Sequence, residues 1–258
     1  MAKDHDSVLP TPLRRGGYVA RFAAGVDDLD ATARLRHLCF VEGAGRAPLA
    51  GGLERDRFDS VCDHVLVEDA AGRLVCCFRL MAFGSGADIG ASYSAQYYDL
   101  AKLSQFESPL VEMGRFCVHS DAGDADVLRI AWGMLAAFVD AHGAGVLFGC
   151  SSFAGVDPTP YRGAFDLLAA RHLAPEIWAP RAGSTQSIPY AKHAKAVDDR
   201  RAALAQVPSL LKTYLAMGGW VSDHAVIDAD MNTLHVFTGL EIAAIPPARA
   251  QALRSVAG

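Results

Sequence analysis

Within residues 111–120, VEMGRFCVHS, a carboxylate and a guanidinium, Glu112 and Arg115, interrupt a run otherwise suited to a buried strand. A sequestered carboxylate can take a proton from an ammonium nucleophile, and a guanidinium can hold an anion or a developing oxyanion. Side chains three apart on a regular strand face opposite ways, so the two share a site only if the strand carries an extra residue. Gly114 is the natural place for that bulge, which would also free a backbone N–H for a substrate carbonyl. The alternative is a structural ion pair inside the sheet. A rival chemistry lies in Gly149-Cys150-Ser151-Ser152 at a strand end, where Cys150 or Ser151 could form an acyl-enzyme. The flanks do not form a G-x-S-x-G elbow, and no histidine is placed to serve it.

Other residues form an ordered series with that strand: Arg36 and Phe40 at a helix end, Asp56 and Asp59 before a hairpin, and Arg79 in CCFRLM. The series resembles the acyl-homoserine-lactone synthases, GNAT-superfamily enzymes that take acyl groups from acyl carrier protein. It departs from them after Phe40, where VEGAGRAP lacks their tryptophan. A wider resemblance covers nearly the whole chain. SAQYYDL (94–100), VEMGRFCV (111–118), LFGCSSFAGVDP (147–158), PSLLKTYLAMGGWV (208–221) and IDADMNTLHVF (227–237) are similar to the ornithine N-acyltransferases. His235 stands where that family's pattern implies an aspartate.

The resemblance implies transfer of a 3-hydroxyacyl group from acyl carrier protein to the α-amine of L-ornithine, giving lyso-ornithine lipid by direct amine attack on the thioester. Glu112 is then the carboxylate that receives the ammonium proton. Arg79 or Arg115 would clamp the amino-acid carboxylate, and Asp59 or Asp63 would meet the δ-ammonium. Arg36 and Phe40 would line a mobile N-terminal lid over the donor site, Asp56 is a further substrate-binding candidate, and Phe116, Val118, Phe148, Phe153 and Trp132 would border an acyl tunnel. The nearest enzymatic alternative, a lactone synthase, would need S-adenosylmethionine and has no place for the chain after residue 190. A non-enzymatic acyl-carrier or lipid-binding module is a third class, against which the joint presence of Glu112, Arg115, Arg79 and Asp59 speaks.

No cofactor beyond the phosphopantetheine thioester of the co-substrate is expected. Coenzyme A-dependent GNAT enzymes hold the pyrophosphate on a glycine-rich loop at a helix start, and here that place reads HSDAGDADVLR, whose aspartates would repel it. An acidic carrier protein would dock on basic surface, for which Arg14, Arg15, Arg46, Lys192, Lys195, Arg200 and Arg201 are candidates. An amphiphilic product makes peripheral contact with the inner membrane face conceivable, but no amphipathic basic helix announces it.

These residues must be positioned by a chain of 258 residues, 51% of them hydrophobic, with a formal charge of −5. That balance disfavours a nucleic-acid binder relying on a general positive field. With neither a charge-free apolar run of membrane-spanning length nor a signal-peptide block at the start, a cytoplasmic protein is expected. The cysteines form no CxxC pair and the histidines no HExxH, so free thiols and no metal site are expected.

Residues 1–16 suggest a flexible arm. A strand at 18–22 and a helix capped by Asp27 or Asp28 through Phe40 follow, then a loop over 41–52 and a hairpin of strands 64–68 and 74–81. A short helix around 93–103, a strand at 111–118, a helix at 127–142 and a strand at 145–153 come next. Charged helical sequence after 190, a helix at 209–217 and strands near 220, 226–227 and 234–238 close the pattern. The fold class is α/β in its α+β form: a GNAT-like domain over 17–190 with a mixed, mostly antiparallel twisted sheet flanked by helices. A C-terminal extension over 191–258 would pack on that core.

Overall fold

A computed structural model describes residues 9–183 and 185–257; the first half of the expected N-terminal arm lies outside them. The chain forms two compact units, one from residues 1–82, 113–144 and 247–258 and the other from 83–112 and 145–246. The fold is mixed α/β with mostly antiparallel strands, as the sequence suggests.

In the first unit, β1 (Leu13–Arg15) and β2 (Tyr18–Phe22) form a hairpin whose turn places Gly16 and Gly17 at positive φ. The end of the expected arm is therefore strand. Antiparallel neighbours β3 (Asp63–Glu68) and β4 (Leu74–Phe83) extend the sheet, and Asp69 accepts the Ala71 and Arg73 N–H groups in their turn. The last strand of this part is β6 (Leu110–Val118), from Met113 onward.

Helix α1 (Val26–His37) is capped by Gly25, with no side-chain cap. Asp28 instead pairs with Arg21, so the predicted aspartate cap is corrected. The helix stops short of Phe40 and passes into a π-turn over Leu38–Glu42. Helix α2 (Ala125–Ala141) buries Val127, Ile130, Met134, Leu135 and Phe138, the apolar stripe legible in the sequence, and is capped by Asp124. Helix α6 (Pro247–Ala257), which had no counterpart in the sequence reading, crosses α2 at Gly133, where a Cβ would come within 2.7 Å of Val256.

In the second unit, the first residues of β6 pair in parallel with β7 (Val146–Ala154), at Leu110–Val146, Val111–Leu147 and Glu112–Phe148. Over its whole length β7 pairs antiparallel with β12 (Thr233–Glu241), which also pairs with β10 (Trp220–Val221) and β11 (Ala225–Asp228). Two-residue strands complete this part: β9 (Ser187–Ile188) on β11, and β5 (Tyr98–Asp99) on β8 (Arg181–Ala182). Helices α3 (Arg162–Arg171), α4 (Arg200–Gln206) and α5 (Ser209–Ala216) belong to the same unit, with α4 against α3 and α5 against β12. No short helix spans 93–103. Separate 3-10 turns at Gly86–Ala91, Ser94–Gln96 and Leu103–Gln105 carry the chain there, with β5 between the last two. All the cysteines are free thiols.

Candidate active site

The predicted irregularity in β6 exists but lies one residue further on. Arg115, not Gly114, adopts the left-handed conformation, at φ 55°. For a side chain larger than Gly, Asn or Asp this backbone carries strain, retained where surrounding contacts fix it. Gly114 leaves room beside Arg79, whose Nε would lie 3.6 Å from an added Cβ.

Arg115 belongs to a charged cluster of the first unit. Its Nε donates to Glu54 Oε1 at 3.1 Å and its Nη2 to Asp56 Oδ2 at 3.0 Å. Arg79 grips Asp56 bidentately, at 2.6 and 2.7 Å, and donates to Asp59 Oδ1 at 2.8 Å. Arg36 grips Asp59 the same way, at 2.6 and 2.7 Å, donates to the Glu54 carbonyl, and places its Nε 2.8 Å from Glu54 Oε2. That last contact is an ion pair by distance but is too poorly aligned to count as a hydrogen bond. The charges alternate around a closed ring: Glu54, Arg36, Asp59, Arg79, Asp56, Arg115 and back to Glu54.

Arg36 and Arg79 are almost wholly buried. Ions so placed are tolerable only because each meets opposite charge in good geometry. Burial alone would raise the Asp59 carboxyl, but the Arg36 guanidinium overrides it and holds the group well below the usual carboxylate range. Asp56 is lowered likewise, with burial opposed by Arg79. Burial keeps His64 below its ordinary value; its Nε2 donates to the Asp59 carbonyl at 3.1 Å.

The sequence thus identified every member of this ring except Glu54, which no motif distinguishes from its charged neighbours in LERDR. The ring also alters the expected assignments. The paired N–H groups of Arg79 already hold Asp56, and Asp59 already neutralises arginine, so neither stands open for a substrate charge. Asp63 opens β3 opposite Leu80. Phe40 packs on the Leu35, Cys77 and Cys117 cluster, Phe116 stacks on Phe78 at 5.4 Å, and the Val118 carbonyl accepts from Cys39.

Glu112 sits in the second unit, at the last residue of the parallel ladder. Its Oε2 accepts the Tyr93 N–H at 2.8 Å, and its Oε1 accepts the Ser94 N–H at 2.8 Å and the Ser94 hydroxyl at 2.6 Å. A 5% exposed carboxylate is thereby satisfied by three donors, and it fixes the turn that begins SAQYYDL. Burial raises the Tyr214 phenol on α5, and the Glu112 charge raises it further.

Ser94 Oγ also lies 3.5 Å from the half-buried Cys150 Sγ. Ser151 is engaged by the Thr238 hydroxyl at 2.9 Å, and Phe148 packs between Phe83 and Phe237, at 5.9 and 5.7 Å. Phe153 packs on Tyr161 and Phe165. Tyr98 OH donates to the His235 carbonyl at 2.9 Å and lies 3.0 Å from its Nδ1, which gives the unexpected histidine a packing role. Tyr93 and Ser94 lay in or beside a recognised segment, yet nothing in the sequence shows that their backbone would meet Glu112.

Residues 35–133 match the model of the acetyltransferase (GNAT) domain. An L-ornithine N(alpha)-acyltransferase of Rhodobacter capsulatus is 38% identical, over 85% of this chain and 88% of that one. The chain belongs to the L-ornithine N(alpha)-acyltransferase family. A relative of the same name from Brucella abortus is 32% identical, over 89% of this chain and 86% of its own. Among solved structures, FeeM, an N-acyl amino acid synthase from uncultured soil microbes, superposes with a TM-score of 0.50 at 13% identity. That match covers 90% of this chain and 93% of FeeM and shows a shared fold. Membership makes the protein an N-acyltransferase.

Proposed function

We propose that the protein transfers a 3-hydroxyacyl group from acyl carrier protein to the α-amine of L-ornithine, giving lyso-ornithine lipid. The observation that carries this reading is membership of a family whose relatives bear the ornithine acyltransferase name across nearly the full chain. The geometry favours direct attack. The amine must lose a proton to attack the thioester carbonyl, and a carboxylate can receive it. Glu112 is that group, with the Ser94 hydroxyl as the relay: Ser94 passes its proton to Oε1 as it accepts one from the ammonium. The nitrogen then bonds to the carbonyl carbon and the pantetheine thiolate departs with a proton.

Cys150 is the rival nucleophile. Its thiol meets the Ser94 hydroxyl, and Ser151 beside it is already bonded to Thr238. The carrier protein, an acidic partner, would meet exposed basic groups such as Lys192, Lys195, Arg200 and Arg201, and the only cofactor required is the thioester it brings. No described helix is long and apolar enough to cross a membrane. Contact with the membrane would be peripheral, at its inner cytoplasmic face.

The test is mass spectrometry of products from purified protein, ornithine and matched 3-hydroxyacyl thioesters of carrier protein and coenzyme A. Nα-acylornithine formed preferentially from the carrier-protein donor is expected. Equal use of coenzyme A, or acylation of the δ-amine, would contradict the reading.

A further inference from the structure

Asp228 closes β11 with a carboxylate only 6% exposed. Its Oδ1 accepts the Met231 N–H at 2.9 Å, which shapes the turn into β12, and its Oδ2 receives only the Tyr97 hydroxyl, at 3.4 Å. Among the described residues no lysine, arginine or histidine pairs with it. The turn needs one oxygen, and an asparagine would serve it equally well, so the turn does not account for the charge. A sequestered carboxylate without a cation is costly, and the natural complement is a cation brought by a ligand.

The surroundings suit an alkylammonium. Tyr97 links Asp228 to Tyr93, whose hydroxyl lies 3.2 Å from that of Tyr97, with ring centroids 5.4 Å apart. Both rings are half-buried, and His235 packs edge-on against Tyr97 at 4.8 Å. Tyr97 donates to Asp228, and the two rings offer π faces to a cation. Burial raises the Tyr97 hydroxyl, and Tyr93 and the Asp228 charge add to it, so it stays a donor. Through Tyr93, whose N–H Glu112 accepts, this cluster shares one segment with the carboxylate assigned to the reacting amine.

We infer that Asp228, Tyr97 and Tyr93 form a recognition site for the terminal ammonium of the amino-acid acceptor. The inference rests on the proposed reaction and fills the place that Asp59, occupied by Arg36 and Arg79, cannot fill. It makes Asp228 the residue that distinguishes a diamino acid from a neutral one of the same length.

The experiment compares L-ornithine with L-norvaline, which has the same carbon chain and no terminal amine, in wild type, Asp228→Asn and Tyr97→Phe. Each pair is assayed by kcat/KM with one acyl donor and by calorimetric binding without donor. Wild type should prefer ornithine, and Asp228→Asn should lose about 10- to 100-fold on ornithine while norvaline changes little. Tyr97→Phe should lose less, in the same direction. An equal loss on both substrates, or none, overturns the inference while leaving the acyltransferase reading intact. Wild type that binds or acylates neither amino acid overturns both, and retained ornithine binding by a catalytically poor Asp228→Asn overturns the inference alone. Unchanged thermal unfolding of the variants shows that the turn has survived.

Discussion

At the residue scale, the two charges that first draw attention in β6 have different partners and different work. Arg115 is bonded to Glu54 and Asp56, whereas Glu112 holds the Tyr93–Ser94 backbone. Their types were legible in the sequence because charge in an apolar strand is costly and therefore informative. Their partners were not, since Glu54 and Tyr93 are distant in sequence and carry no pattern of their own. Arg36→Ala would leave Asp59 and Glu54 buried with a charge unmatched, and should destabilise the protein by about 3–5 kcal/mol in denaturant unfolding. Arg36→Lys should recover only part of that, because an ammonium cannot reproduce the bidentate grip. Cys150→Ala should keep nearly full turnover, and intact-mass analysis with donor alone should find no acyl-enzyme; a trapped acyl group on Cys150 would replace direct attack by a two-step transfer.

At the element scale, strands and the main helix were read nearly to their ends because their local signals are strong: α2 buries one continuous stripe, and β3 and β4 are short apolar runs on either side of a turn with Asp69 and Gly72. The expected helix at 93–103 was misread because the surrounding stretch is held by tertiary contact rather than by local preference. Gly86 donates to the Phe106 carbonyl at 2.7 Å, and a Cβ on it would meet the Leu103 carbonyl oxygen at 2.1 Å. Gly86→Ala should therefore cost about 1–3 kcal/mol and, by displacing the turn that leads to Tyr93, lower activity as well. Urea unfolding and initial rates on one preparation check both. Helix α6 was missed because PARAQALRSVA has no strong apolar face, and its docking at Gly133 depends on the absence of a side chain.

At the scale of the whole molecule, the charged ring ties the loop over residues 54–59 to α1, β4 and β6 within the first unit, and it sets a pH dependence. Asp56 and Asp59 have folded values below their unfolded ones, so their contribution is complete above about pH 4 and is lost as pH falls toward the folded values. His64 is also lowered, so the unfolded chain binds a proton first, and stability should begin to decline below about pH 6.5. Denaturant midpoints from pH 7 to pH 3 should fall in those two stages, and His64→Gln should remove the first. Family membership was legible in five separated segments, but the division into two units was not, because each unit draws on distant parts of the chain.

The measurement that bears most directly on direct transfer is the pH–rate profile of Glu112→Gln against wild type, with ornithine and the 3-hydroxyacyl carrier-protein donor. If Glu112 takes the ammonium proton, kcat/KM should fall about 10²–10⁴-fold at neutral pH and recover as pH rises and the amine loses its proton unaided. A variant that folds and retains wild-type rates, or one whose deficit stays constant across pH, would show that Glu112 only anchors the Tyr93–Ser94 turn.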